Sequence, residues 1–150
     1  MNESTVNEKS INTAAKYTII AAVISLIGLA DSAYLTSKHL SGSQVPCNIT
    51  GGCEQVLTSS YSEIFGIPTA AFGVLAYMTA FSLALLTYFG NRQLWNLFGV
   101  VVILMAGFSL WFIYLQAFVI GAFCQFCLLS AITSFTLFTI FTSSKLFHSK

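Results

Sequence analysis

The stretch from Gly121 to Leu128, GAFCQFCL, places a Cys-x-x-Cys pair at the edge of an apolar run long enough to cross a membrane. If a helix begins here, Cys124 and Cys127 lie on one face of it, because side chains three residues apart on a helix are neighbours. The free amides and the dipole of a helix N-terminus lower the pKa of a thiol. The pair therefore suits cycling between dithiol and disulfide, unless it is merely two small apolar side chains in a packing face.

The composition of the whole chain is that of an integral membrane protein. Of 150 residues, 56% are hydrophobic and 7% are charged, whereas soluble domains carry about 25% charged residues. The length fits one domain, residues 1–150. A net charge of +1 provides no electrostatic footprint for nucleic acid, so we expect membrane lipid, and not nucleic acid, to contact this protein.

Four membrane spans are predicted from apolar runs of about 20 residues, the length that crosses a hydrocarbon core. Their approximate bounds are 17–35, 69–89, 94–118 and 124–141. The last two spans share an uncharged stretch that is too long for one crossing and must fold back near Gly121. The first run is longer than the apolar region of a cleavable signal peptide, which is the competing interpretation. The sequence thus predicts an all-α bundle of four transmembrane helices, preceded by a flexible polar tail over 1–16.

A long polar loop, residues 38–67, connects the first two spans and carries a second cysteine pair, Cys47 and Cys53. Within it, the apolar residues between 53 and 65 are spaced as on a short amphipathic helix that lies on the membrane surface. We expect the apolar face of this helix to cover whatever lies beneath the loop.

The basic residues indicate the orientation of the spans. Only Lys38 falls on one side of the membrane, and the other side receives Lys9, Lys16, Arg92, Lys145 and Lys150. The positive-inside rule places the richer side in the cytoplasm. We therefore expect a multi-pass protein of the inner membrane with both termini cytoplasmic. Both cysteine pairs then share the outer face, where disulfides persist.

Three interpretations of the four cysteines are open. They are a thiol–disulfide relay between the two pairs, a structural loop disulfide beside two inert cysteines in a four-helix scaffold, and a metal site that uses all four thiolates. The relay is favoured because it explains why both pairs lie at one face of the membrane.

The motifs occur in a characteristic order along the chain. They are Cys47-x5-Cys53, then Ser59, FGIP at 65–68, Phe72-Gly73, and Cys124-x-x-Cys127, with GLADSAYLT at 28–36 in the first span. In this order the chain resembles the bacterial form of the vitamin K epoxide reductase family over nearly its whole length. The other four-helix, quinone-linked disulfide oxidase of bacterial envelopes carries its two cysteine pairs in the reverse order.

The resemblance implies a quinone-dependent thiol–disulfide oxidoreductase that uses no metal. Cys124 and Cys127 match the active-site pair, with Cys127 facing the quinone, ubiquinone or menaquinone, and Cys124 exchanging with the loop. Cys47 and Cys53 match the shuttle pair, which oxidises a thioredoxin-like protein in the periplasm or another extracytoplasmic space. Many bacterial members carry that domain fused, whereas nine residues follow Phe141 here, so the partner is expected in trans. Reduction of quinone or vitamin K epoxide is the alternative main activity.

Further residues are candidates for the quinone or substrate pocket. The matched motifs imply Ser59, Phe65 and Phe72. Asp31 is the one acidic residue within a span, and it is either functional or reaches interfacial water. Gln116 and Gln125 offer amides to a quinone carbonyl or to a polar contact between helices.

Overall fold

A computed structural model shows a bundle of four long helices. It describes the backbone of residues 3–148 and the side chains of residue 8 and residues 11–147. The elements are α1 (Glu3–Ser41), α2 (Cys53–Leu57), β1 (Glu63–Ile64), β2 (Ile67–Pro68), α3 (Thr69–Tyr88), α4 (Leu94–Tyr114), a π-helix (Leu115–Ile120) and α5 (Gln125–His148). Lys150 and the side chain of Lys9, both used in the orientation argument, lie outside the described residues.

Four helices in the described part of the chain are long and apolar enough to cross a membrane. The candidate spans are Ile11–Ser41, Thr69–Tyr88, Leu94–Ile120 and Gln125–Phe147. The predicted four-helix membrane fold is therefore confirmed. The predicted flexible tail is wrong for residues 3–16, which continue α1 as helix. This segment contains neither Gly nor Pro, and extending an existing helix avoids the cost of nucleating a new one.

The middle of the bundle is held together around Tyr77 of α3. Its ring packs against Gly28 of α1, where an added Cβ would lie 2.2 Å from the ring atom Cε1. Its buried hydroxyl is within hydrogen-bond distance of Thr133 Oγ1 (2.6 Å) and Ser134 Oγ (3.0 Å) on α5. One side chain thus ties three helices together, and its polar group is satisfied, as a buried hydroxyl requires.

The loop between α1 and α3 differs from its prediction. The amphipathic helix expected over 53–65 ends at Leu57. A short hairpin of two-residue strands follows, in which Ile64 lies opposite Ile67. Thr58 and Ser59 turn their hydroxyls back onto main-chain carbonyls of α2, a contact that competes with helix continuation. Phe65 and Gly66 both have positive φ, 54° and 76°, as in the turns that favour tight hairpins.

Candidate active site

The chain reversal before α5 positions the Cys-x-x-Cys pair. The π-helix ends at Ile120 and is followed by Gly121, whose left-handed φ of 69° suits a residue without Cβ. After this turn the carbonyl of Cys124 accepts a hydrogen bond from the Leu128 N–H at 3.0 Å. Cys124 therefore immediately precedes the first turn of α5 and Cys127 lies within that turn, which is the placement that the spacing predicts.

Cys124 is in an environment that favours its thiolate. The thiol of Cys127 hydrogen-bonds to the Cys124 sulfur, and the backbone N–H groups of Cys127 and Phe126 also donate to it. Together these contacts lower the pKa of Cys124, against the opposing effects of burial and of the nearby Asp31 carboxylate. Hydrogen bonds to a charged form favour that form, so Cys124 is suited to act as a nucleophile and as a leaving group.

The two cysteine pairs meet in one buried cluster at the loop end of the bundle. Cys53 and Cys124 are both fully buried members of this cluster, and Cys47 and Cys127 pack against it. Cys47 and Cys53 form a disulfide with their Cα atoms 5.8 Å apart, whereas Cys124 and Cys127 are free thiols. Both cysteine pairs thus belong to one apolar cluster, although they come from segments far apart in the sequence.

Close backbone contact holds the loop against the segment that precedes α5. A Cβ added to Gly52, next to Cys53, would lie 2.8 Å from the carbonyl oxygen of Phe123, next to Cys124. Such a distance is too short for real Cβ contacts, so this position requires glycine as the structure stands. The missing side chain lets the two cysteine-bearing segments approach each other.

Gln125 makes a second link between the two segments. Its Oε1 accepts a hydrogen bond from the Ile49 N–H at 3.1 Å, and its Nε2 donates to the Pro46 carbonyl at 3.5 Å. These two residues flank Cys47. The structure therefore brings Gln125 to the loop backbone, and it does not border the cavity described next.

A cavity of about 620 Å³ lies inside the bundle below the loop. Residues of all four spans border it, and the loop contributes Val56, Leu57 and Ser62. Cys127 faces this space, and so does Phe72, one of the predicted pocket residues. The volume lies in the range of small-molecule sites, about 300–1,000 Å³, and the largely apolar lining suits a lipophilic ligand.

Gln116, in the π-helix, links this cavity to the Cys-x-x-Cys pair. Its side chain is fully buried, and its Oε1 accepts a hydrogen bond from the Cys124 N–H at 2.9 Å. It also borders the cavity. Among the described residues, its Nε2 has no hydrogen-bond partner.

The remaining predicted residues lie around the cavity and not in its lining. Phe65 is fully exposed at the hairpin turn. Ser59 donates its hydroxyl to the Val56 carbonyl at 2.7 Å. Asp31 is buried, with no partner for Oδ2 in the described part of the chain, and it interacts electrostatically with both Cys124 and Cys127.

One contact at the rim of the cavity could not be predicted from the sequence. His39, at the end of α1, borders the cavity and pairs with Glu63 of the hairpin, with 2.8 Å between Nε2 and Oε1. The two residues lie 24 positions apart, and no local motif connects them. The pair links α1 to the hairpin above the cavity.

The chain also matches a known protein family. The model of the Vitamin K epoxide reductase family matches residues 19–142, most of the chain. The chain belongs to the vitamin K epoxide reductase family. It is also 34% identical over 94 residues to the thiol-disulfide oxidoreductase LTO1 of Arabidopsis thaliana. That match covers 57% of this chain and 25% of LTO1, so it spans about a quarter of that relative's length.

The resemblance drawn from the cysteine order is thereby confirmed, and both comparisons support thiol–disulfide redox activity in this member of the vitamin K epoxide reductase family. Within the described residues, no group of three or more His, Cys, Asp or Glu side chains is arranged as metal ligands. Cys47 and Cys53 are joined to each other, so in this state their sulfurs are not free thiolates.

Proposed function

We propose that this member of the vitamin K epoxide reductase family is a quinone-dependent oxidase that generates disulfides in a thioredoxin-like protein outside the cytoplasm. One observation carries the proposal: Cys53 and Cys124 share a buried cluster, while Cys127 of the same pair borders an apolar cavity inside the bundle. Such an arrangement has an entrance for electrons on the loop side and an exit on the membrane side.

Electrons enter through the loop pair. Cys47 is partly exposed whereas Cys53 is buried, so a thiolate of the partner attacks the Cys47 sulfur and breaks the loop disulfide. The second thiolate of the partner then displaces Cys47. The partner leaves with a disulfide, and Cys47 and Cys53 have gained two electrons and become thiols.

The loop pair then passes these electrons to the active-site pair. The Cys53 thiolate attacks Cys124 in the oxidised pair and displaces the Cys127 thiolate. Cys47 attacks Cys53 in the resulting mixed disulfide, re-forms the loop disulfide and releases Cys124. The lowered pKa of Cys124 favours this release, because a thiol with a lower pKa is a better leaving group. The loop disulfide together with two free thiols, as in the structure, corresponds to the end of this step.

A quinone fits the cavity by size and chemistry. The space is large enough for a quinone ring and the start of its tail, its lining is mainly apolar, and it borders Cys127. A buried amide without a partner in the described residues, that of Gln116, offers a donor for a carbonyl oxygen. A bound quinone would accept the two electrons and two protons that Cys124 and Cys127 release when they form a disulfide.

We further propose an orientation of the protein in the membrane and roles for Asp31 and Phe72. Both termini lie in the cytoplasm, the loop and its cysteines lie at the outer face of the inner membrane, and the thioredoxin-like partner acts in trans from that side. Asp31, which interacts with both active-site cysteines, is the candidate for exchanging a proton with them. Phe72 is the candidate for contact with the quinone ring.

The test is reconstitution of the purified protein with defined reactants. The full chain in proteoliposomes receives a reduced thioredoxin-like protein and either ubiquinone-1 or a menaquinone with the same side chain, without oxygen. We expect one disulfide formed in the partner for each quinone reduced, and no reaction in the variant Cys124→Ala. Oxidation of the partner without reduction of either quinone overturns the quinone assignment. No oxidation under any condition overturns the oxidase assignment.

A further inference from the structure

The orientation of the Gln116 amide is determined by its neighbour. The backbone N–H of Cys124 is a donor, so the atom 2.9 Å from it must be the side-chain oxygen of Gln116 and not its nitrogen. The amide nitrogen is consequently turned away from Cys124. The assignment of O and N, which is often ambiguous for glutamine, is settled here by chemistry.

The amide nitrogen of Gln116, Nε2, is a buried donor without an acceptor among the described residues. Gln116 is 0% exposed, its Nε2 finds no acceptor among the described residues, and the residue is one of those that border the cavity. Leaving a buried donor unsatisfied costs about 1–3 kcal/mol in general. Natural proteins leave few such groups, and each calls for a physical explanation.

We propose that Gln116 Nε2 donates a hydrogen bond to a carbonyl oxygen of the electron acceptor and so holds the acceptor ring beside Cys127. The inference rests on the proposed function, since it takes the acceptor to be a quinone. It assigns a ligand contact to a residue outside the Cys-x-x-Cys motif. It also separates the two glutamines, because the amide of Gln125 is already engaged by the loop.

This contact becomes stronger as the reaction proceeds. Electrons that reach the ring place negative charge on its oxygen, and a preorganised N–H aimed at that oxygen stabilises the charge. The other end of the same amide holds the Cys124 N–H, so Gln116 connects the acceptor to the segment that carries the cysteine pair. Loss of the donor should therefore weaken binding and also slow the turnover of bound quinone.

The sharpest test is the nearly isosteric variant Gln116→Glu. An ionised Glu at this position still accepts from the Cys124 N–H but has no proton to donate. We expect the Kd of ubiquinone-1, measured by quenching of tryptophan fluorescence without turnover, to rise about tenfold at neutral pH. A tenfold change corresponds to about 1.4 kcal/mol. The matched control is Gln93→Glu, an exposed residue at the other end of α4, for which the Kd should not change.

The pH dependence gives a readout that a purely structural role would not change. A protonated Glu regains a donor, so the ratio of the Kd of Gln116→Glu to the wild-type Kd should fall toward one as the pH is lowered. Other titratable groups at the site are His39, Tyr77 and Cys127 on the cavity wall, with Asp31 and Cys124 beside them. They are present in both proteins, so the ratio removes their shared contribution.

The behaviour of the wild-type protein distinguishes a failure of this inference from a failure of the proposed function. If wild type binds and reduces ubiquinone-1 while Gln116→Glu has the same Kd within twofold at every pH, the inference is wrong and the amide is a helix contact only. If wild type neither binds nor reduces ubiquinone-1 or the matching menaquinone, the proposed function is wrong. If Gln116→Glu does not fold, Gln116→Met serves instead, and an unchanged Kd in that variant likewise overturns the inference.

Discussion

The side-chain oxygen of Gln125 accepts a hydrogen bond from the backbone N–H of Ile49 at 3.1 Å. Gln125 lies between the two cysteines of α5, and Ile49 lies two residues after Cys47. A residue of the Cys-x-x-Cys motif thus holds the loop that carries Cys47 and Cys53. Electron transfer by thiol exchange needs sulfurs in contact, so the hydrogen bonds of Gln125 to the loop should affect its rate.

The variant Gln125→Leu removes both hydrogen bonds to the loop while preserving the approximate size of the side chain. Each hydrogen bond contributes about 0.5–1.5 kcal/mol, so we expect the transfer from loop to active-site pair to slow by about tenfold. Quenched-flow thiol trapping measures this step. Gln55→Leu, at an exposed position on α2, is the matched control. An unchanged transfer rate in Gln125→Leu would show that the loop docks without this contact.

The contact at Gly52 should be even more sensitive to substitution. Replacing Gly52 with Val introduces a side chain where even a Cβ would lie 2.8 Å from the Phe123 carbonyl oxygen. The loop must then move away from the segment before Cys124, and we expect oxidation of the protein partner to fall at least tenfold. As a control, Gly107→Ala adds a Cβ that meets nothing within 4 Å, and its activity should equal that of wild type. Full activity in Gly52→Val would contradict the docked arrangement.

The elements that could be predicted from sequence are those set by composition over long stretches. Four apolar runs become four spans because the bilayer leaves few alternatives for such segments. The reversal at Gly121 is likewise foreseeable, since an uncharged stretch of that length must fold back and glycine suits the left-handed turn. The position of Cys124 and Cys127 at the start of α5 follows from this reversal.

The contacts of the loop and of the two glutamines could not be predicted, because they depend on tertiary structure. The spacing of apolar residues suggests helix up to Phe65, but the turn at Phe65 and Gly66 produces a hairpin. Gln116 and Gln125 are equivalent in a sequence argument. Only the fold shows that Gln116 borders the cavity and that the amide of Gln125 contacts the loop.

Cys47 and Cys53 should differ in their ability to form a mixed disulfide with Cys124. In Cys47→Ala, the remaining Cys53 thiolate attacks the oxidised pair, and no Cys47 is present to resolve the product. We expect a Cys53–Cys124 mixed disulfide to accumulate in the presence of quinone, detected by mass spectrometry of alkylated, non-reduced peptides. In the matched variant Cys53→Ala, the partly exposed Cys47 should form little or no disulfide with Cys124. Equal yields from the two variants would remove the assignment of Cys53 as the inner cysteine.

The orientation can be tested with reporters placed at three sites. Fusions at Lys150 and in the turn at Asn91 should report the cytoplasm, and an insertion at Gly51 should report the opposite side. Gly51 is suitable because it is exposed and nothing lies within 4 Å of its Cβ direction. The expectation follows from the positive-inside rule. A cytoplasmic signal from Gly51 would reverse the proposed location of the loop and of its partner.

The last prediction concerns the pKa of Cys124 and the part that Cys127 plays in setting it. The hydrogen bond from the Cys127 thiol is the largest cause of the lowered pKa, ahead of those from the backbone amides. Cys127→Ala should therefore raise the pKa of Cys124, so that its thiolate appears only at higher pH. The ultraviolet absorbance of the thiolate, followed against pH with Cys47 and Cys53 replaced by Ser, measures the midpoint.

The shift in this pKa has a kinetic consequence in an otherwise intact protein. In Cys127→Ala a Cys53–Cys124 disulfide can form only by attack of the Cys124 thiolate on the loop disulfide, which releases Cys47. A Cys124 with a higher pKa is a poorer leaving group, so Cys47 should resolve this species more slowly. The same variant should also fail to reduce quinone, because it cannot form the Cys124–Cys127 disulfide. A Cys127→Ala midpoint equal to or below that of the parent would mean that the amides of α5 alone stabilise the thiolate. Cys127 would then act only as the second thiol of the pair, without tuning the first.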